Sequence, residues 1–164
     1  MSSSVNNIVI KFDKEIKGSS SIPEHKDWIL LQSYSVSSGR GVVMDEGSNN
    51  RKTGAGQVSE MLCTKTADMA SAELFINSVD GASLGAATLR VLETGSANAE
   101  KVLVEMKMDE VLITHFNTSA SMGRPTETFQ LHFMKLSIQG NQYDGAKQLT
   151  GTPKVWDLRE RRRG

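Results

Sequence analysis

At 164 residues the chain is long enough to bury a substantial core as one domain. A hydrophobic fraction of 38% and a mean hydropathy of -0.33 exclude a chain built of helical membrane spans and argue against disorder; no apolar run approaches the roughly 20 residues that a spanning helix needs. Nineteen basic and nineteen acidic residues cancel to a formal net charge of +0, so no global field draws the chain toward nucleic acid or an anionic membrane.

The opening Met1-Ser-Ser-Ser-Val5-Asn-Asn lacks the basic segment and apolar block of a secretory signal, so the expectation is a cytoplasmic start and export by a signal-independent route. Val5 to Phe12 alternates Ile8, Ile10 and Phe12 against Val9 and Lys11, which predicts a first strand. Lys17 to Pro23 is turn-rich. After His25-Lys26-Asp27, a long strand is predicted from Trp28 to Val36, with bulky residues on both faces. Ser37 to Gln57 then reads as a loop, punctuated by Gly39, Gly41, Gly47, Gly54 and Gly56. A loop of about twenty residues in a compact domain is usually functional. Its middle, Asp45 to Lys52, carries both charge signs, as a docking arm would.

Val58 to Lys65 is predicted as a strand feeding a helix over about 68–79. In that helix Met69, Ala72, Phe75, Ile76 and Val79 recur at three- and four-residue spacing and form the face expected to pack on the sheets. Asp68 or Ser71 supplies a cap, Glu73 suits the positive end of the helix dipole, and Asp80-Gly81 is a stop. Further strands follow at Ala86 to Leu92, Lys101 to Met108 and Val111 to Phe116, with a turn over Thr94 to Asn98 and a polar loop over Asn117 to Pro125. Thr128 to Ile138 shifts phase after Phe133, which suggests a bulge or a strand covered on both faces. Trp156 must dock somewhere, and Arg159, Arg161, Arg162 and Arg163 give a basic tail over 159–164, read as a solvated end. The expected fold is mainly β: two antiparallel sheets forming a β-barrel-like sandwich, with one α-helix packed at its side or end, in a single domain over 1–164.

A search for chemistry returns no catalytic, cofactor-binding or metal-ligating set. His25, His115 and His132 lack metal-binding spacing; His115 and His132 fall within strands, and His25 reads as a loop-to-strand clamp. The lone Cys63 reads as a small core residue rather than a nucleophile. Carboxylate pairs such as Asp45-Glu46 and Asp109-Glu110 are adjacent, so in extended chain they point to opposite faces, poor geometry for acid/base work. There is no nucleophile elbow or phosphate loop, and aromatics at 5% are not interleaved with basic residues as a single-strand nucleic-acid platform requires.

Several blocks, in order over nearly the whole chain, resemble the hemolysin-coregulated protein (Hcp) family, the tube subunit of the bacterial type VI secretion system. They are Ile16-Lys-Gly18 with His25-Lys26, Ile29 and Ser33-Tyr34-Ser35; Gly54-Ala-Gly56-Gln-Val58 followed by Thr64-Lys65 through Asp68 and Ser71 to Leu74; Thr126-Glu127 to Phe133; and Asp144-Gly-Ala-Lys147 with Trp156-Asp-Leu-Arg159. Two features depart from the family: Ala72 stands where proline is usual, and Asp45 to Lys52 replaces a glycine-rich run. The resemblance implies a homohexameric ring with an open channel, and stacking of rings into an inner tube. A contractile sheath and baseplate surround that tube, the spike protein VgrG tips it, and it is exported into a target cell. It further implies a lumen that carries or chaperones small effector proteins, with Ser35 facing that lumen; that the chain is not an enzyme is expected from the empty search for catalytic motifs. From the residues, the arm is expected to supply ring-stacking contacts through Asp45, Glu46, Asn49, Arg51 and Lys52. The alternative is a monomeric β-sandwich that binds a ligand or another protein, and oligomeric state separates the two.

Overall fold

The computed structural model describes residues 6–94, 100–145 and 147–164. Val5, and the turn expected after Thr94, lie outside these residues. The chain opens with β1 (Asn6–Phe12), where alternation buries Ile10 and Phe12 on the core side. The stretch expected as one long strand divides at Gln32 into β2 (Ile29–Leu31) and β3 (Ser33–Ser35), which belong to different sheets. A strand that changes sheets in this way turns a corner of the sandwich and needs bulky residues on both faces.

The expected loop over 37–57 is instead a two-tier β-hairpin arm. It carries β4 (Ser38–Gly39), β5 (Val42–Met44), β6 (Arg51–Thr53) and β7 (Gln57–Val58), with β4 paired to β7 and β5 to β6. Its glycines do not prevent pairing, because a short ribbon with both faces in water asks little of its side chains. After β8 (Met61–Thr66) and α1 (Ser71–Asp80) come β9 (Ala87–Thr94), β10 (Glu100–Asp109), β11 (Leu112–Ser119), β12 (Thr126–His132) and β13 (Lys135–Asp144). The chain closes with β14 (Lys147–Thr150), β15 (Lys154–Asp157) and β16 (Arg162–Arg163).

The larger sheet runs β16-β15-β13-β10-β9-β1-β2, with β14 also on β13, and the smaller runs β11-β12-β8-β3; every pairing is antiparallel. Side chains from both sheets meet in one core that includes Ile10, Leu89 and Met108 from the larger and Met61, Cys63, Phe129 and Leu131 from the smaller. The phase shift after Phe133 is neither a bulge nor a doubly covered strand. The chain leaves the smaller sheet after His132 and enters the larger at Lys135. A smaller cluster of Val9, Trp28 and Leu92 lies outside the main core, with Ile22, Leu30 and Val102 against it. Gly18 permits the loop above it, since a Cβ there would run into the Trp28 and Ile29 backbone.

The helix corrects the sequence reading most sharply. Ala70, Leu74 and Asn77 face inward, and Leu74 is wholly buried. Met69, Phe75, Ile76 and Val79 are instead 68%, 54%, 47% and 69% exposed. Leu74 reaches the core while Asn77 satisfies its amide, donating to the Glu73 carbonyl and accepting from Lys14 Nζ, both at 2.7 Å. The start also differs. Ala70 is the N-cap and makes no side-chain bond, while Asp68 Oδ1 accepts from its N–H at 2.8 Å. Gly81 ends the helix in the left-handed region at φ 70, its N–H bonded to the Asn77 carbonyl.

The basic tail is likewise anchored. Arg162 and Arg163 pair with Asp157 and Trp156 as an edge strand, and Arg159 meets Glu110 at 2.9 Å, although the arginine side chains stay in water.

Candidate functional site

Three exposed regions have no intramolecular function that accounts for them. The first is the arm. Asp45 and Lys52 pair at 3.2 Å across its outer tier, and the turn between them puts Gly47 at φ 87. Glu46, Asn49 and Arg51 sit exposed around this turn, so all five predicted stacking residues gather at one tip. Sequence reasoning missed their neighbours Val42, Val43 and Met44, which are all exposed, on both faces of the ribbon. Three consecutive apolar residues exposed on a hairpin arm are a feature of the kind that marks an interaction surface. The signal was legible as an uninterrupted Val-Val-Met run, but the charges beside it drew the reading.

The second region is the outward face of the smaller sheet. Burial alternates along β8, with Met61, Cys63 and Lys65 inward, and along β12, with Glu127, Phe129 and Leu131 inward. The opposite phase is set in rows by the strand register: Ser35, Leu62, Gln130 and His115; then Ser33, Thr64, Thr128 and Asn117; then Thr66, Thr126 and Ser119. Ser35, the predicted lumen residue, stands at the end of the first row. The rows hold hydroxyls, amides, one imidazole and a single leucine, with no carboxylate, ammonium or guanidinium. At the margin, Thr114 Oγ1 donates to Glu60 at 2.8 Å. Among the described residues, the outer strands β11 and β3 each have one unpaired side.

The third region is the exposed face of α1, held in place by a buried ionic cluster. Lys65, 0% exposed, donates to Glu127 Oε1 at 2.6 Å and lies 2.9 Å from Asp68 Oδ1, while Ser71 Oγ donates to the same Glu127 oxygen at 2.7 Å. These contacts tie the helix start to two strands, and Asp68 Oδ2 is left buried with no hydrogen-bond partner among the described residues. Sequence reasoning passed over Lys65 and Glu127 as catalytic or structural centres, although both occupy the inward phase of their strands.

Neither the thiol nor the imidazoles form a reacting constellation. Burial pushes the Cys63 thiol far above its ordinary value, so it stays protonated and inert. His25 packs edge-on to Trp28 at 4.8 Å, lies 3.1 Å from Arg90 Nη1 and 3.9 Å from Glu100 Oε2, tying the loop over 18–28 to β9 and β10. Arg90 in turn holds Glu105 at 2.7 Å. Burial raises the Glu105 carboxyl, but the hydrogen bond and charge of Arg90, with Lys107 beside it, outweigh burial and hold it below the usual range. Among the described residues no group of three or more His, Cys, Asp or Glu is placed to hold a metal ion, and no helix is long and apolar enough to cross a membrane.

Comparison with known proteins adds the missing context. The profile of the family described as "Type VI secretion system effector, Hcp" matches residues 9–139. Among solved structures, one titled as a type six secretion system protein superposes with a TM-score of 0.87 at 22% identity, covering 98% of this chain and 100% of its own. Hcp1 from Salmonella typhimurium gives 0.76 at 20% identity, covering 96% and 98%. Hcp1 from the E. coli EAEC 042 pathovar gives 0.71 at 18%, covering 95% and 99%. Comparison with curated proteins gave no match. With the sandwich, its one described helix and most of the chain under the family profile, this protein belongs to the Hcp family of the type VI secretion system.

Proposed function

We propose that this chain is a structural tube subunit: it forms homohexameric rings, the rings stack into the inner tube of a type VI secretion apparatus, and the tube is exported with small effector proteins in its lumen. The smaller sheet carries the reading. It offers free edges on β11 and β3, and a row of unpaired backbone groups is a template for joining a second chain. Joining β11 of one copy to β3 of the next is a heterologous contact, which closes into a ring when the rotation allows. The uncharged outward face then becomes the lumen wall, with Ser35 as a cargo-facing residue. A wall of hydroxyls and amides offers hydrogen bonds to any polar cargo without the strong ionic attachment that would hinder release.

The arm supports the stacking half of the proposal. Val42, Val43 and Met44 need cover, and Asp45, Glu46, Asn49, Arg51 and Lys52 surround them with both charge signs. A neighbouring ring supplies the cover. In this reading the chain carries out no enzymatic step, is one domain over 1–164, and meets the spike protein VgrG, the contractile sheath and the baseplate through the assembled tube.

The test is light scattering of the purified chain with negative-stain imaging of the same peak. A mass of six subunits and annular particles is the expected result. A monomer at micromolar concentration overturns the tube reading and favours the monomeric binding module.

A further inference from the structure

We infer that the exposed apolar ridge of α1 seats in a groove on a second copy of this chain and is a lateral contact within the ring. The inference rests on the ring reading above and assigns residues to it.

The ridge is Met69, Phe75, Ile76 and Val79, with Phe75 propped edge-on against Phe116 of β11 at 6.3 Å. The groove, about 660 Å³, opens elsewhere on the molecule between the end of β3 and the strands β13 and β15. Val36, Val58, Leu136, Ile138, Val155 and Trp156 give it an apolar floor and walls. Ile138 is 41% exposed there, so the groove is dry in composition but open to water, as a vacant docking site is.

Two independent observations commit the groove to a second copy. The first is charge. Glu73 and Asp80 are the ionisable residues of α1, which has no basic residue. Lys154 and Arg163 are the ionisable side chains of the groove lining, which has no acidic side chain. An acidic-edged apolar ridge and a basic-edged apolar groove are complementary in both respects. The second is placement. The helix packs against β11, whereas the groove is lined by Val36 and Val58 at the base of the arm and by β13 and β15 of the larger sheet, so ridge and groove lie on separate parts of the molecule. Ridge and groove are different surfaces, so the contact is heterologous and repeats around a ring rather than ending at a dimer.

The experiment compares the wild-type chain with Ile76→Asp by light scattering, with circular dichroism and thermal melting as controls for folding. Ile76 is on the surface, so the variant keeps its fold. The expected outcome is a six-subunit mass for the wild type and a single-subunit mass for Ile76→Asp, with unchanged spectra. Glu73→Lys and Lys154→Glu each weaken the ring, and the two together restore it. In a separate chain carrying Val79→Cys and Val155→Cys, oxidation yields a ladder of cross-linked multimers, while Cys63 stays out of reach in the core. Wild-type rings that persist unchanged in Ile76→Asp and give no ladder overturn this contact and leave the ring reading standing. A wild-type monomer overturns both.

Discussion

Lys65 and Glu127 stand directly opposite each other on β8 and β12, both pointing into the core, with Nζ 2.6 Å from Oε1. An ion pair so placed does little for net stability, because desolvating two charges offsets most of their attraction. Removing one partner is another matter. Lys65→Ala leaves Glu127 and Asp68 buried without their cation and is expected to lower the unfolding free energy by about 3–5 kcal/mol. Replacing both, as Lys65→Met with Glu127→Leu, is expected to cost less than the sum of the single changes, with a coupling of about 0.5–3 kcal/mol. Urea denaturation of the four chains in that cycle measures it; additive losses would show that the pair does not act as a unit.

The two faces of α1 separate in the same assay. Leu74→Ala is expected to cost about 2–5 kcal/mol, since the side chain is wholly enclosed. Phe75→Ala, next in sequence, loses an exposed ring and one edge-on contact with Phe116, about 1 kcal/mol or less in the isolated subunit. Equal losses would mean that Phe75 is covered within the chain.

Why the sequence misplaced that face is instructive. The outer stripe of α1, with Met69, Phe75, Ile76 and Val79, is more apolar than the inner one, with Ala70, Leu74 and Asn77. Periodicity reports that a face is apolar and is silent about what covers it. The sheets were more legible, because a period of two is set by the core alone and placed most strands within a few residues, although the predicted strand from Thr128 began one residue after the inward-facing Glu127. The crossings between sheets at Gln32 and after Phe133 were visible as bulk on both faces and as a phase shift. Their cause was hidden, since it depends on which strand pairs with which. The uncharged rows of the smaller sheet were hidden for the same reason: they assemble from four segments that meet only through register.

Acid should loosen the C-terminal edge. Asp157 Oδ1 accepts from the N–H groups of Glu160 and Arg159 at 3.1 and 2.9 Å and so shapes the turn that returns the chain as β16. The Glu160 N–H does most to hold the carboxyl below its usual range, working against burial, with the Arg159 N–H and the charges of Lys135 and Arg159 in support. A depressed folded-state value means that the stabilisation is complete above the unfolded value of about 3.9 and disappears as pH falls through the folded one. Melting curves below about pH 4 should therefore decline less steeply for Asp157→Asn than for the parent chain. Parallel declines would remove Asp157 from the account.

Charge reversal on the arm tests stacking apart from ring closure. Arg51→Glu with Lys52→Glu breaks the exposed pair with Asp45, an interaction worth no more than about 1 kcal/mol, so the melting temperature should barely move. Ring mass should stay at the parental value while tubes shorten or vanish in negative stain. Tubes of normal length would take the stacking contact away from these charges.

The strand order also determines when this chain can fold. β1 finds its partner in β9, with Asn6 opposite Glu93, and β8 finds its partner in β12, with Met61 opposite Leu131. Neither sheet can close until a large part of the chain has left the ribosome, and pairings so distant in sequence form slowly. During that interval the Val-Val-Met run of the arm and the unpaired strand edges are open to premature association with other nascent copies. The features that the proposed assembly would use are thus a hazard during synthesis, and dilution or chaperone binding in that window should raise the yield of soluble protein.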